Sequence, residues 1–194
     1  MTKREQEIVA AAAQVFKDKG YHAATTRDIA AAVGIQQASL YYYVSSKEEL
    51  LYLVVREPIM QLYAQVEEIV KANVPVRHKI ERCLQAHLAA FDDNYPHMFV
   101  FVQELHNVVQ VLQDKLRDLP RRYQRLWEDM LRQGITTGEL RADVDVATTA
   151  LMILGMCNWM SRWYRKGGRL DTAALARQYA SAILDGLVTR AVPD

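Results

Sequence analysis

A short turn at Gly34, set between two segments of helical periodicity, constrains the fold of this chain more than any other stretch. The apolar face of the first segment ends at Val33, and Thr25 or Thr26 can cap its first turn. A glycine just past the last apolar residue suits the left-handed backbone that ends many helices. A second helix follows over residues 36–44. The pattern predicts a helix-turn-helix, whose second helix can lie in a DNA major groove.

The exposed face of the predicted second helix carries amide and hydroxyl groups. A glutamine amide can pair with adenine, and hydroxyls can reach bases or phosphates. Lys47 opens the next helix, where its charge can meet a phosphate. The alternative is a helical hairpin that binds nothing and uses its tyrosines for packing. The side chains of this face are Gln36, Gln37, Ser39, Tyr42 and Tyr43.

The residues between Thr25 and Leu50 also carry a family resemblance. The runs T-T-R-D-I-A-x-x-V-G-I, S-L-Y-Y-Y-V and S-K-E-E-L resemble the DNA-binding domain of TetR-type transcriptional regulators. The lead-in AAAQVFKDKGYHAATT is similar to the first helix of that family. The resemblance is specific up to about Arg56 and extends over the rest in length and helix layout. Ala38 and Val44 stand where many members have Gly and Phe, and both are small or apolar.

The resemblance implies a homodimer that binds double-stranded DNA at a pseudo-palindromic operator. Half-sites about 34–36 Å apart would then meet the two recognition helices. By resemblance, Arg27, Gln37 and Ser39 face bases. Thr26, Tyr41, Tyr42 and Lys47 mainly hold phosphates. The whole implied DNA-binding set is Thr26, Arg27, Gln36, Gln37, Ala38, Ser39, Tyr41, Tyr42, Tyr43 and Lys47.

Charge alone does not indicate a nucleic-acid partner. The formal net charge is +1, and the first fifty residues hold six basic and six acidic side chains. A basic surface must therefore come from the arrangement of side chains and from helix N-termini. This balance counts against DNA binding, but the motif outweighs it.

The bulk sequence predicts an all-α cytoplasmic protein. Only 8 glycines and 5 prolines interrupt it, and no strand-like alternation occurs. No apolar run reaches the roughly 18 residues of a membrane span, and the charged N-terminus is unlike a signal peptide. We expect Cys83 and Cys157 to be reduced, buried thiols, with a disulfide or redox switch as the alternative.

The predicted helices divide into two domains. Residues 1–47 form the three-helix DNA-binding domain, and residues 48–194 form a helical ligand-binding and dimerisation domain. A long helix from Glu48 to about Ala72 connects them, with a bend expected at Pro58.

The last two predicted helices, near residues 147–165 and 173–190, are apolar on more than one side. Such helices need two packing partners. One is their own domain, and the other can be the same pair in a second subunit, as a four-helix bundle. A single thick core is the alternative, and the family resemblance favours the dimer.

The segment NWMSRWYRKGGRL is a second candidate site. Trp159 and Trp163 share one helical face, beside Arg162, Arg165 and Arg169. An aromatic wall near guanidinium groups suits a ligand with an apolar body and phosphates. The alternative is a solvated helix end, where cations favour the C-terminus. The run W-x-x-R-W-Y-R-x-G-G-x-L resembles TetR-type regulators that sense acyl-CoA thioesters from fatty-acid and steroid degradation.

We therefore expect an acyl chain to enter the core of the second domain, and the coenzyme A phosphates to emerge near the arginines. Methionines in the expected lining would adapt to varied apolar shapes. Filling this core should shift the helix that begins at Glu48. The expected ligand-binding residues are Phe91, Phe99, Phe101, Leu105, Leu126, Met130, Met152, Met156, Trp159, Arg162, Trp163, Arg165 and Arg169.

No motif supports an enzyme, a metal site or a bound cofactor. The sequence has no Gly-rich phosphate loop, nucleophile elbow or HExxH run, and its histidines lack the i, i+4 spacing of a helical metal site. Two other functions stay open. The chain could regulate an efflux pump in response to hydrophobic drugs, or form a ligand-binding or enzymatic domain that does not bind DNA.

Overall fold

The computed structural model describes residues 1–104 and 118–187. Within these ranges the chain forms nine α-helices and no β-strand, so the predicted all-α class is confirmed. In chain order the helices are α1 Lys3–Lys19, α2 Thr26–Ala32, α3 Gln37–Leu40, α4 Lys47–Lys71, α5 Val76–Asp93, α6 His97–Gln103, α7 Leu119–Thr136, α8 Val146–Trp163 and α9 Thr172–Leu187.

The chain forms two compact units. Of the described residues, unit 1 takes 1–60 and 94–104, and unit 2 takes 61–93 and 118–187. The units divide within α4, two residues after Pro58, and α6 belongs with the N-terminal helices. The domain boundary expected after residue 47 stays a prediction.

Unit 1 is built on α1. The hydroxyl of Thr2 accepts from Glu5 N at 3.3 Å, and the Glu5 carboxylate accepts from Thr2 N at 2.7 Å, which caps the start of the helix. Gly20 ends the helix with φ +76°, a backbone conformation that favours glycine. The buried face of α1, which includes Ile8 and Phe16, packs against α2 and α6.

The helix-turn-helix forms as predicted, but its second helix is shorter. Thr25 caps α2 in a reciprocal pair of bonds with Asp28, and Gly34 takes φ +69° in the turn. The α3 helix ends at Leu40, whereas a helix over residues 36–44 was expected. After Leu40 the backbone tightens, since Tyr43 N donates to the Leu40 carbonyl three residues back at 2.9 Å.

Unit 2 is organised around α5, which packs against α7, α8 and α9. Large apolar side chains from these helices fill its core, among them Leu84, Phe91, Trp127 and Ile153, each 0% exposed. The free cysteines Cys83 and Cys157 are buried in the same unit. Burial raises the pKa of both thiols to about 12.

Candidate nucleic-acid interface and effector domain

The helix-turn-helix presents a polar surface that its own packing leaves exposed. Leu40, at the end of α3, and Val44, four residues later, are buried and anchor this segment in unit 1. The opposite side is open to solvent, and Tyr42 is 85% exposed. Further exposed members of the predicted DNA-binding set are Arg27, Gln36, Ala38, Ser39 and Tyr41.

Hydrogen bonds hold part of this surface in place before any DNA is bound. Gln37 Nε2 donates to the hydroxyl of Thr26 at 2.8 Å, and that hydroxyl lies 3.3 Å from the hydroxyl of Tyr41. An amide nitrogen carries two hydrogens, so Gln37 keeps one N–H and its oxygen for a base edge. The contact orients Gln37 and ties the start of α2 to α3.

Lys47 occupies the first position of α4, next to the loop that follows α1. Its Nζ lies 4.4 Å from the ring centroid of Tyr21 and donates to the His22 carbonyl at 3.4 Å. Tyr21 OH in turn donates to Glu48 Oε1 at 3.2 Å. Burial, followed by the charge of Glu48, raises the pKa of Tyr21 to about 12. Lys47 is therefore held at the edge of the helix-turn-helix.

Two family models cover most of the sequence. Residues 8–53 match the bacterial regulatory proteins of the tetR family, and residues 73–187 match the tetracyclin repressor-like C-terminal domain. The chain belongs to the TetR family. Members of this family are bacterial regulatory proteins, and the N-terminal family model covers the helix-turn-helix, so this chain is a DNA-binding transcriptional regulator.

The similarity to known proteins extends over nearly the whole chain. It is 32% identical over 188 residues to the HTH-type transcriptional repressor KstR2 of Rhodococcus jostii, which covers 96% of this chain and 92% of that protein. The structure of the ketosteroid transcriptional regulator KstR2 of Mycobacterium tuberculosis superposes with TM-score 0.86 at 29% identity, over 98% of this chain and 97% of that one. AibR, solved with isovaleryl coenzyme A and operator DNA, shares the fold, with TM-score 0.78 at 23% identity over 96% and 98% of the two chains.

The residues expected to line the effector pocket fall in different places in the TetR-family chain. Phe91 and Met130 are fully buried in the core of unit 2, and Leu126 and Met156 are partly buried there. Phe99 and Phe101 lie on α6 in unit 1, and Leu105 lies outside the described residues. Their common role in binding an acyl chain stays a prediction.

One face of α8 is apolar and exposed. Leu151, Met152, Trp159 and Trp163 are 56%, 55%, 65% and 46% exposed, and Gly155 between them has open space beside it. Met152 and Trp159 therefore point away from the core of unit 2 in the single chain, although we expected them within it. A helix with two apolar stripes does not reveal from sequence which stripe faces its own core. The exposed Arg162 lies in the last turn of α8, and the exposed Arg165 and Arg169 lie in the segment that follows the helix.

A polar centre that the sequence reasoning missed lies inside unit 2. His87 is 3% exposed, with Nδ1 3.0 Å from Tyr123 OH and Nε2 3.2 Å from Asn158 Oδ1. Asn158 Oδ1 can only accept, so Nε2–H donates to it and Nδ1 accepts from the tyrosine. Burial lowers the pKa of His87 to about 4, so the ring is neutral at pH 7. The available signal was polar residues at core positions of α5, α7 and α8.

A second unpredicted contact fixes the end of α8. Tyr164 OH donates to Asp92 Oδ2 at 2.8 Å, and Lys166 Nζ donates to the Asp92 carbonyl at 3.0 Å. Burial, then the bond to Asp92, raises the pKa of Tyr164 to about 12. These bonds attach the segment that carries Arg162 and Arg165 to the end of α5.

The described part of unit 2 also has a cleft of about 370 Å³ between α5 and α9, which none of the predicted ligand-binding residues lines. Over residues 1–104 and 118–187, no three His, Cys, Asp or Glu side chains come together as a metal site. None of the described helices is both long enough and apolar enough to cross a membrane.

Proposed function

We propose that this TetR-family repressor is released from its operator by an acyl-CoA thioester, formed during the breakdown of a steroid or a fatty acid. The observation that carries the proposal is the exposed group of arginines at the end of α8 and just after it, namely Arg162, Arg165 and Arg169. Guanidinium groups pair with phosphates in a bidentate way. Coenzyme A carries phosphates that these arginines can hold.

The relatives support the same class of effector. KstR2 of Rhodococcus jostii, at 32% identity, is a transcriptional repressor. KstR2 of Mycobacterium tuberculosis, at 29% identity, is a ketosteroid transcriptional regulator. The fold that this chain shares with AibR holds isovaleryl coenzyme A and operator DNA in that protein. The acyl body would reach the apolar core of unit 2, near Phe91 and Met130, while the phosphates stay at the arginines.

On the DNA side, the two subunits of the dimer would place their α3 helices in successive major grooves on one face of a pseudo-palindrome. Arg27, Gln37 and Ser39 would contact bases, and Thr26, Tyr41, Tyr42 and Lys47 would hold phosphates. The exposed α8 face, together with α9, would form the subunit interface. A face with two exposed tryptophans is costly to leave in water, which favours its burial against a second copy.

An effector can release DNA only if it binds the released conformation more tightly than the DNA-bound one. A coupling free energy of ~1–3 kcal/mol is typical, and it is reciprocal. Bound operator should therefore weaken thioester binding by the same factor by which the thioester weakens operator binding.

The test is an anisotropy titration of the protein on a labelled operator, selected from random DNA by the wild-type protein. Palmitoyl-CoA, a steroid-derived acyl-CoA and a phenylacyl-CoA are added in turn, with coenzyme A and the free acids as controls. We expect at least one thioester to release DNA at micromolar concentration while its free acid does not. Failure of every thioester, or release by hydrophobic drugs alone, would refute the acyl-CoA assignment.

A matched pair of variants tests the arginines. Arg162→Gln should raise the concentration of thioester that releases half of the DNA by about ten-fold, because one charged phosphate contact is lost. Arg141→Gln removes a similarly exposed arginine that is ion-paired with Asp143 at 3.3 Å, and it should leave release unchanged. Equal behaviour of the two variants would contradict the phosphate role.

A further inference from the structure

Pro58 leaves a gap in the hydrogen bonding of α4. The helix runs unbroken from Lys47 to Lys71, but proline has no backbone N–H. The Val54 carbonyl, four residues earlier, therefore lacks the partner that an α-helix normally provides. Val54 is 0% exposed, so solvent does not readily replace that partner. A buried carbonyl in this position needs a donor from elsewhere.

The donor comes from α6. His97 Nδ1 lies 2.8 Å from the Val54 carbonyl oxygen, across 43 residues of sequence. A carbonyl can only accept, so Nδ1 carries the hydrogen and the imidazole donates. His97 thus supplies the N–H that the proline ring removed.

The other end of α6 is bonded to the DNA-binding helices. Glu104, just after α6, accepts from Tyr21 N at 2.9 Å, in the loop between α1 and α2. Before α6, Lys17 of α1 lies 5.3 Å from the ring centroid of Tyr95. Within unit 1, α6 is therefore tied both to α4 at its proline and to the loop that leads into the helix-turn-helix.

We propose that His97 is a positioning residue for operator binding, which acts by holding the path of α4 at Pro58. Without its N–H, the buried carbonyl of Val54 is unpaired, and α4 must rearrange to find it a partner. The α4 helix is the covalent connection that follows the helix-turn-helix, so its path at Pro58 constrains how the two α3 helices of a dimer are presented. The proposal concerns DNA binding without effector, and so it does not depend on the identity of the thioester.

Three substitutions isolate the bond. His97→Leu fills similar space without a donor. His97→Asn keeps a donor in nearly the same place, because the amide nitrogen Nδ2 of asparagine is bonded to Cγ just as Nδ1 of histidine is. Pro58→Ala restores the backbone N–H to α4, which makes the histidine unnecessary. Operator affinity is measured by anisotropy without effector, and light scattering and thermal melting monitor assembly and folding.

We expect His97→Leu to weaken operator binding about five-fold or more, because keeping α4 on its DNA-binding path then leaves one buried acceptor unpaired, which costs at least about that factor. His97→Asn should retain most of the affinity. In the Pro58→Ala background, His97→Leu should have an effect of less than about two-fold, because the two changes act on one carbonyl and are not additive.

Two results with a folded His97→Leu protein would overturn the proposal. One is wild-type operator affinity, and a lower melting temperature beside it would reduce His97 to a stabilising contact. The other is an equal loss of operator affinity with and without Pro58→Ala. If His97→Leu alone does not fold, the double variant with both His97→Leu and Pro58→Ala must fold and bind operator as Pro58→Ala does. Failure of this double variant would also refute the positioning role of His97.

Discussion

The folded chain holds Lys47 in a position where its charge can also meet a phosphate of DNA, as the sequence predicts. Its ammonium lies over the Tyr21 ring at 4.4 Å, which keeps it at the edge of the helix-turn-helix. A cation–π contact of this kind contributes about 0.5–1 kcal/mol at an exposed site. The same contact already restricts the rotamers of Lys47, so the side chain loses less conformational entropy when it meets a phosphate. The fold and the predicted contact therefore favour the same position of the charge.

We predict that Lys47→Ala weakens binding to operator and to random DNA by a similar factor. The slope of log K against log salt should fall by about two units for the dimer, because each subunit loses one phosphate contact that releases about one counterion. Lys71→Ala is the control, since Lys71 closes the same helix, is exposed and pairs with Glu67 at 3.3 Å. Salt titrations that give the same slope for wild type and Lys47→Ala would exclude the phosphate role.

At the scale of helices, His87 joins three elements through its two nitrogens. It sits on α5 and bonds to Tyr123 on α7 and Asn158 on α8. The pKa of His87 is lowered to about 4 by burial, from an ordinary 6.5. The unfolded chain therefore binds a proton at a higher pH than the folded chain does. Stability from this residue is present above pH 6.5 and is lost as the pH falls from about 6.5 toward 4.

We predict that the free energy of unfolding falls on acidification over this window, with a contribution from His87 on the order of 3 kcal/mol. His87→Leu should unfold more easily at pH 7, because Tyr123 and Asn158 lose their partner, yet show a flatter pH dependence between 6.5 and 4. Denaturant melts across the pH range measure both effects. His78→Gln, at an exposed position of the same helix, should keep the wild-type slope. An unchanged slope in His87→Leu would contradict the assignment.

At the scale of the whole molecule, the exposed face of α8 is the feature that a single chain cannot account for. Among the described residues of unit 2, its tryptophans and its leucine stay largely exposed, while the other side of α8 packs on α5 and α7. Such a face is expected in a subunit interface, which buries aromatic side chains at its centre. A dimer formed through this face would give the two α3 helices a fixed spacing on DNA.

We predict that Trp159→Glu converts the dimer to a folded monomer, because it would bury a carboxylate between two apolar faces. Light scattering should show the mass of one chain, circular dichroism should stay helical, and operator affinity should fall by at least about 100-fold as the second half-site is lost. Met60→Glu changes an apolar residue that is 43% exposed on α4, and it should stay dimeric. A dimeric Trp159→Glu protein would place the interface elsewhere.

What the sequence determined by itself is local. The cap of α2 at Thr25, the turn at Gly34 and the end of α1 at Gly20 follow from bonds and backbone angles within a few residues. The helix α1, Lys3–Lys19, is likewise bounded by its Thr2 cap and by Gly20. Likewise, the polar face of the helix-turn-helix could be read from spacing alone, since helical periodicity places its buried and exposed sides.

Only the tertiary structure decided which distant groups meet. His87 and Asn158 are 71 residues apart, and His97 and Val54 are 43 apart, so no periodicity could pair them. The sequence also left the direction of Trp159 undetermined. Both stripes of α8 are apolar, and the stripe that is buried is the one that the neighbouring helices cover. Local bonding fixes where helices begin and end, whereas the packing of side chains from separate helices selects the polar contacts and leaves one apolar face for a partner.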